Sequence, residues 1–132
     1  MVCVNTDCIV SSSVSSIKCV DVLEWKNKLI KLSFEQNSQL VSIEDSSFKE
    51  FKYLQKVDFS NCNQLPSISH CAFYLCSSLK EIIFPENGVL ESLYGGCFSY
   101  TNIETIKLPK SLKYMYILLL VLNYSLNKIQ FF

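Results

Sequence analysis

Arginine is absent from this chain of 132 residues, and all twelve of its basic residues are lysine. Arginine is the side chain that most often contacts phosphates and guanine edges through two hydrogen bonds, so its absence argues against nucleic-acid binding. Net charge is absent as well, because twelve acidic residues balance the lysines. No overall field attracts DNA, RNA or an anionic membrane. We therefore expect no nucleic-acid partner.

Long hydrophobic runs are missing too. The longest, Met115 to Leu122, is far shorter than the roughly 20 residues that a membrane-spanning helix needs. The first residues contain no basic segment followed by an apolar one, so the sequence predicts neither a signal peptide nor a transmembrane segment. The chain has seven cysteines, an odd number that would leave one outside a closed disulfide framework. Without a signal peptide, we expect reduced thiols.

Groups that support catalysis or metal binding are scarce. The only histidine, His70, has no second histidine beside it to act as a base, and the side chain of adjacent Cys71 should diverge from it. Cys62, His70, Cys71 and Cys76 are close in sequence, but their spacing fits no common zinc motif. The sequence therefore predicts no enzyme activity, no metal site and no cofactor.

What the chain does have is a phrase of hydrophobic residues that recurs about every 25 positions. The phrase has the form L-x-x-L-x-F-x-x-N-x-x-L-x-x-I-x4-F and begins at Leu29, Leu54, Leu79 and Ile103. Self-similarity at a fixed period indicates a solenoid, in which each repeat packs against its neighbours. Solenoids usually bind other macromolecules along an extended surface, so a protein ligand is the expected partner.

Each repeat divides into a strand, a polar turn and a return segment. Residues Lys56 to Ser60 alternate outward and inward, which predicts a strand, whereas Phe73 to Leu79 is too short for a stable helix and predicts a helical or 3-10 turn. Phenylalanines at equivalent places predict two buried columns. Small polar residues after each strand should form an inward ladder that bonds backbone groups of the turn, namely Asn37, Cys62, Asn87 and Ser111.

The outward-facing residues of the predicted sheet are the candidate protein-contact surface. They are Lys31, Ser33, Glu35, Lys56, Asp58, Ser60, Glu81, Ile83 and Lys107. Two interpretations remain open. The face is either a weak protein-contact surface or a solvated sheet in which Lys56 and Glu81 pair across neighbouring strands. The tyrosines Tyr53, Tyr74, Tyr94 and Tyr100 fall on the opposite flank and are an alternative partner surface.

The repeat resembles a known family. The phrase L-x-x-L-x-L-x-x-N/C-x-L is the leucine-rich repeat signature. The segment Ala72 to Leu79 reads A-F-x-x-C-x-x-L, and Leu-Pro and Phe-Pro steps end at Pro109 and Pro85, as in the BspA-like class. The resemblance implies an α/β fold, a right-handed solenoid with a short parallel sheet on the concave face and turns or short helical pieces on the convex face. It also implies adhesion or recognition at a cell surface.

The chain departs from that pattern at both ends. We expect residues 1–16, which are rich in serine, to be a disordered lead-in, and residues 17–115 to be the repeat domain. Its first repeat is degenerate, with Ile17 and Leu23 in the places of Ile68 and Phe73 and one residue inserted between them. Residues 116–132 are expected to be an apolar tail, either a cap or the mark of a repeat fragment. An intracellular scaffold is the alternative to a surface protein, since no signal is predicted.

Overall fold

A computed structural model of the protein describes residues 1–116 and 123–132. The chain forms twelve short strands and two short helical pieces within these ranges. They are β1 (Val2–Val4), β2 (Asp7–Val10), β3 (Ser16–Ile17), α1 (Cys19–Val22), a 3-10 helix (Leu23–Trp25), β4 (Lys31–Phe34), β5 (Ser42–Ile43), β6 (Lys56–Asp58), β7 (Ser67–Ile68), β8 (Glu81–Ile83), β9 (Ser92–Leu93), β10 (Thr105–Leu108), β11 (Tyr114–Met115) and β12 (Lys128–Phe131).

The longer strands stack in parallel, one from each coil. β2, β4, β6 and β8 are neighbours in a five-stranded sheet that β1 closes in the antiparallel direction, and β10 pairs in parallel with β12. Leu32, Val57 and Ile82 occupy the same register position in successive coils. This confirms the predicted solenoid and the predicted repeat period.

Two-residue strands form a second side of each coil. β3 pairs with β5, and β7, β9 and β11 form a three-stranded sheet. Serines hold the outward position in β3, β5, β7 and β9, as in the pair Ser67 and Ser92, and Tyr114 takes that position in β11. Helical structure among the described residues is confined to α1 and the 3-10 helix of the first coil, and turns replace it in the later coils.

Aromatic rings fill the centre of the coils in two columns. One column is Phe34, Phe59 and Phe84, and the other is Phe48, Phe73 and Phe98. Successive ring centroids are 5.4 and 5.8 Å apart in the first column and 5.0 and 5.6 Å apart in the second. Edge-to-face contacts join the columns, with Phe59 and Phe73 centroids 6.1 Å apart. The two predicted columns are confirmed, and they hold neighbouring coils in register.

The expected disordered lead-in is wrong, because residues 7–10 form the first parallel strand of the solenoid. Cys8 lies opposite Leu32 and Val10 opposite Phe34, and both are buried. In the degenerate repeat, Ile17 pairs with Ile43 as the alignment implied, but Val22 is buried and Leu23 is 54% exposed. Val22 rather than Leu23 therefore takes the place of Phe73, and no residue is inserted after Ile17. Cys8 and Val10 stand where the next coil has Leu32 and Phe34, so this coil matches the hydrophobic phrase only weakly.

The last described segment is one more coil. β12 pairs with β10 in register, so that Ile106 lies opposite Ile129. Leu126, Ile129 and Phe131 repeat the spacing of the hydrophobic phrase, so this part of the expected apolar tail is a further repeat. The part of that tail at 117–122, including most of the apolar run, lies outside the described residues. No helix in residues 1–116 and 123–132 is both long and apolar enough to cross a membrane.

Candidate functional site

The outward side chains of the five-stranded sheet form two rows across the concave face. One row contains Asp7, Lys31, Lys56 and Glu81, and the other contains Ile9, Ser33, Asp58 and Ile83. Parallel strands about 4.8 Å apart bring neighbours within a row into direct contact range. Six of the nine predicted contact residues therefore lie in these two rows. Glu35 and Ser60 follow the ends of β4 and β6, and Lys107 lies on β10.

Charges on this face partly neutralise one another. Lys56 Nζ is 3.3 Å from a carboxylate oxygen of Glu81, which confirms the predicted cross-strand pair. The Asp58 carboxylate accepts a hydrogen bond from the Ser60 amide at 2.9 Å, which holds the end of the strand. Lys31 lies next to Lys56 in register. Asp7 and Glu81 flank the two lysines in the same row, and Asp58 lies beside them in the next row, so the centre of the face carries charges of both signs.

A depression of about 270 Å³ lies between β2, β4 and β6. The rows of the concave face line it, and the backbone at Cys8 and Leu32 forms its floor. Small-molecule sites usually measure about 300–1,000 Å³. This depression is therefore of a size to receive one side chain of a protein ligand.

Aliphatic side chains extend the concave face at its first coil. Val2 is 69% exposed, Val4 70% and Ile9 49%. Val2 lies opposite Ile9 in the antiparallel pair, so the three side chains share the outward face. These side chains lie in the segment that was expected to be a disordered lead-in, so they were not among the predicted contact residues. The alternation of Val2-Cys3-Val4 and of Asp7 to Val10 was the signal that reveals these strands.

The predicted inward ladder is wrong at two of its four positions. Asn37 and Asn87 are exposed, and Asn37 has a φ of +57°, which turns the chain so that Ser38 is buried in its place. Cys62 Sγ lies 3.8 Å from Ser38 Oγ. Ser111 Oγ donates to the Leu90 carbonyl at 2.7 Å. Asparagine tolerates left-handed backbone, which explains why the turn takes Asn37 outward.

A second set of side chains takes over part of the predicted ladder function. Asn61 Nδ2 donates to the Phe34 carbonyl of the preceding coil at 2.9 Å. Cys76 Sγ lies 3.0 Å from the Phe48 carbonyl oxygen, as a donor across coils. These contacts tie backbone oxygens of one coil to side chains of the next, and the Phe48 oxygen also accepts the Phe51 amide at 3.3 Å. Their role is structural.

The buried thiols are not poised for nucleophilic chemistry. Burial raises the pKa of Cys62 to about 12 and that of Cys76 to about 12, and it raises the pKa of Cys97 well above its ordinary value. These three thiols are therefore protonated at neutral pH, whereas a nucleophile or metal ligand is a thiolate. In residues 1–116 and 123–132, no three His, Cys, Asp or Glu side chains converge in a metal-binding group.

One cysteine pair differs from the expectation of reduced thiols. Cys3 and Cys8 lie opposite each other in β1 and β2 and form a disulfide. Cys19 is free and exposed, while Cys62, Cys76 and Cys97 are free and buried. Cys3 and Cys8 are brought together only by the hairpin of β1 and β2, which the spacing of the two cysteines does not predict.

The tyrosine flank also forms contacts between coils. Tyr74 and Tyr100 meet edge to face at 5.4 Å, and Tyr94 stacks on Tyr116 at 5.6 Å. His70 lies 5.1 Å from Tyr94. Because the rings contact one another, part of their surface is already used inside the protein. This flank offers less free aromatic area to a partner than the sequence suggests.

Asn123-Tyr124-Ser125 has the N-x-S form of an N-glycosylation acceptor, but its asparagine is buried in the folded chain. Asn123 is 6% exposed, and its Nδ2 donates to Thr101 Oγ1 at 2.8 Å. Thr101 Oγ1 in turn donates to the Phe98 carbonyl at 2.9 Å. A glycan attached at this nitrogen would break the contact between two coils. The asparagine therefore acts as a structural bridge.

Comparison with known proteins agrees with this geometry. Two solved structures resemble the chain over 96% of its length: the pneumococcal vaccine antigen PcpA, with a TM-score of 0.82 and 25% identity, and a leucine-rich cell surface protein from Faecalibacterium prausnitzii A2-165, with a TM-score of 0.57 and 15% identity. The chain spans 30% and 38% of those two chains. No protein with a curated description matches it.

A family model agrees with the repeat architecture. The model for the BspA type leucine rich repeat region matches residues 3–131, with six copies. The match begins within β1 and ends at the last residue of β12, so it includes both ends of the stacked coils. Six copies agree with the six parallel strands β2, β4, β6, β8, β10 and β12. The chain therefore belongs to the BspA-type leucine-rich repeat family.

Proposed function

We propose that the chain is a non-catalytic module that binds a protein ligand on its concave face, in cell-surface recognition or adhesion. The observation that carries this proposal is the continuous outward surface of the sheet from β1 to β8. It combines exposed aliphatic side chains at Val2, Val4 and Ile9 with the adjacent lysines Lys31 and Lys56. Apolar contact supplies affinity, and the mixed charges of the face favour a ligand that presents groups of complementary charge.

Two findings support a position outside the cell. The Cys3–Cys8 disulfide is of a kind that persists in oxidising surroundings. One structural neighbour is a vaccine antigen and the other a cell surface protein. An intracellular repeat scaffold is the alternative that the five free cysteines favour. A repeat fragment without an independent function is a third reading, since the chain spans only part of its neighbours.

The location is tested by adding protease to intact cells that carry the native protein. Cleavage of the protein while a cytosolic marker survives is the expected result for a surface module. Protection of the protein under conditions that cleave a known surface protein would refute the surface reading. It would leave the intracellular scaffold and the repeat fragment as the two remaining readings.

The binding face is tested by site-specific photocrosslinking in the presence of total surface proteins. A photoreactive residue at Ser33, in the middle of the concave face, should yield protein adducts. The matched control is the same residue at Lys52, which is exposed outside the sheet. Adducts at Ser33 but not at Lys52 support the proposal. Equal yields at both positions, or adducts at Lys52 alone, would contradict it.

A further inference from the structure

The first strand of the sheet is attached by a covalent bond. β1 runs antiparallel to β2 through a tight turn at Asn5, whose φ is +58°. Cys3 and Cys8 are direct cross-strand partners and form the disulfide. β1 is the only antiparallel strand in the sheets of the described residues.

Burial does little to hold β1 in place. Val2 and Val4 point outward and are about two-thirds exposed, and Cys3 is only partly buried against the core. In β2, by contrast, both inward side chains, Cys8 and Val10, are almost fully buried. Hydrophobic stabilisation scales with the apolar area removed from water, so it secures β2 far more than β1.

The outer edge of β2 depends on β1 for its hydrogen bonds. Amides at the two ends of β4 donate to the carbonyl oxygens of Thr6 and Val10 at 2.8 and 3.0 Å. Backbone groups alternate in direction along a strand, so those of Asp7 and Ile9 face β1. If β1 leaves, these groups become an open sheet edge that can pair with another strand.

We propose that the Cys3–Cys8 bond is a redox lock that keeps β1 on the concave sheet. A dithiol reductant breaks the bond between the two sulfur atoms and supplies two electrons and two protons, which leave two cysteine thiols, while the reductant closes its own disulfide. β1 then detaches, the concave face loses Val2 and Val4, and the edge of β2 opens. This inference concerns the fold and does not depend on the identity of a ligand.

Amide hydrogen exchange tests the lock residue by residue. In the oxidised protein the Asp7 and Ile9 amides should exchange slowly. After reduction with a dithiol they should exchange on the order of tenfold faster or more, because an unlocked edge strand opens locally. The Phe73 amide, which donates to the Cys97 carbonyl at 2.9 Å in the core, should keep its rate and report an intact fold.

Two cysteine variants separate the lock from other effects of the reductant. Cys3→Ser without reductant should reproduce the fast exchange of Asp7 and Ile9, because no disulfide can form. Cys19→Ser, which removes an exposed free thiol, should keep the slow exchange of the parent. Rates within twofold of the oxidised parent in both Cys3→Ser and the reduced protein would overturn the proposal. Equal acceleration at Phe73 would also overturn it, since the whole fold would then depend on the disulfide.

Discussion

Phe73 lies at the crossing of the two aromatic columns, and its replacement by alanine is the sharpest test of how the coils are held together. The ring is fully buried, stacks on Phe48 at 5.0 Å and on Phe98 at 5.6 Å, and meets Phe59 edge to face at 6.1 Å. A buried Phe→Ala change removes about 3–5 kcal/mol. We expect the upper part of this range, because aromatic pairs add about 0.5–1.5 kcal/mol each beyond burial.

The loss is large relative to the stability of a domain of this size, which is about 5–15 kcal/mol. Urea unfolding followed by circular dichroism measures it, with the slope against urea compared between variants to check that the same surface unfolds. Tyr53→Ala is the matched control, since Tyr53 is exposed and its loss should stay within about 0.5 kcal/mol. An unfolding midpoint of Phe73→Ala equal to that of Tyr53→Ala would refute the argument that the columns carry the stability.

Three further predictions concern polar groups. The pKa of Cys62 is about 12 in the folded chain, against an ordinary value of 9.0, so its protonated thiol favours the fold below pH 9 and this contribution to stability is lost between pH 9 and 12. Over that range the melting temperature should fall less steeply in Cys62→Ala than in the parent protein. Lys56→Ala should cost only a few tenths of a kcal/mol, and this cost should vanish in 1 M salt, as chemical denaturation will show. Thr101→Val leaves Asn123 Nδ2 without its acceptor and should lower the free energy of unfolding by about 1–3 kcal/mol, whereas Ser77→Ala at an exposed turn should not.

The repeat itself was predictable from the sequence. Leucine and phenylalanine at fixed spacing predict both strand register and the two aromatic columns, because a residue that faces the core in one coil does so in the next. Leu29, Leu54 and Leu79 mark the start of coils that the structure confirms. The outward row that contains Lys56 and Glu81 followed from strand alternation alone.

The first coil was harder to predict because its residues are weaker matches to the phrase. Cys8 and Val10 are buried because they point into the stacked coils next to Leu32 and Phe34, and that enclosure is a property of the stacked fold. The disulfide follows from the same hairpin. The outward turn at Asn37 was missed for a different reason, since a left-handed backbone at one residue exchanges the inward position for its neighbour Ser38.

The sequence by itself determined the solenoid, its period, its family and the core, since these depend on which side chains avoid water. Only the tertiary structure decided where the concave face begins and how it is closed. A strand such as β1 is placed by pairing and by a covalent bond rather than by hydrophobic periodicity. The charge pattern of the face was settled in the same way, because Lys31, Lys56 and Glu81 become neighbours only when separate coils stack in register.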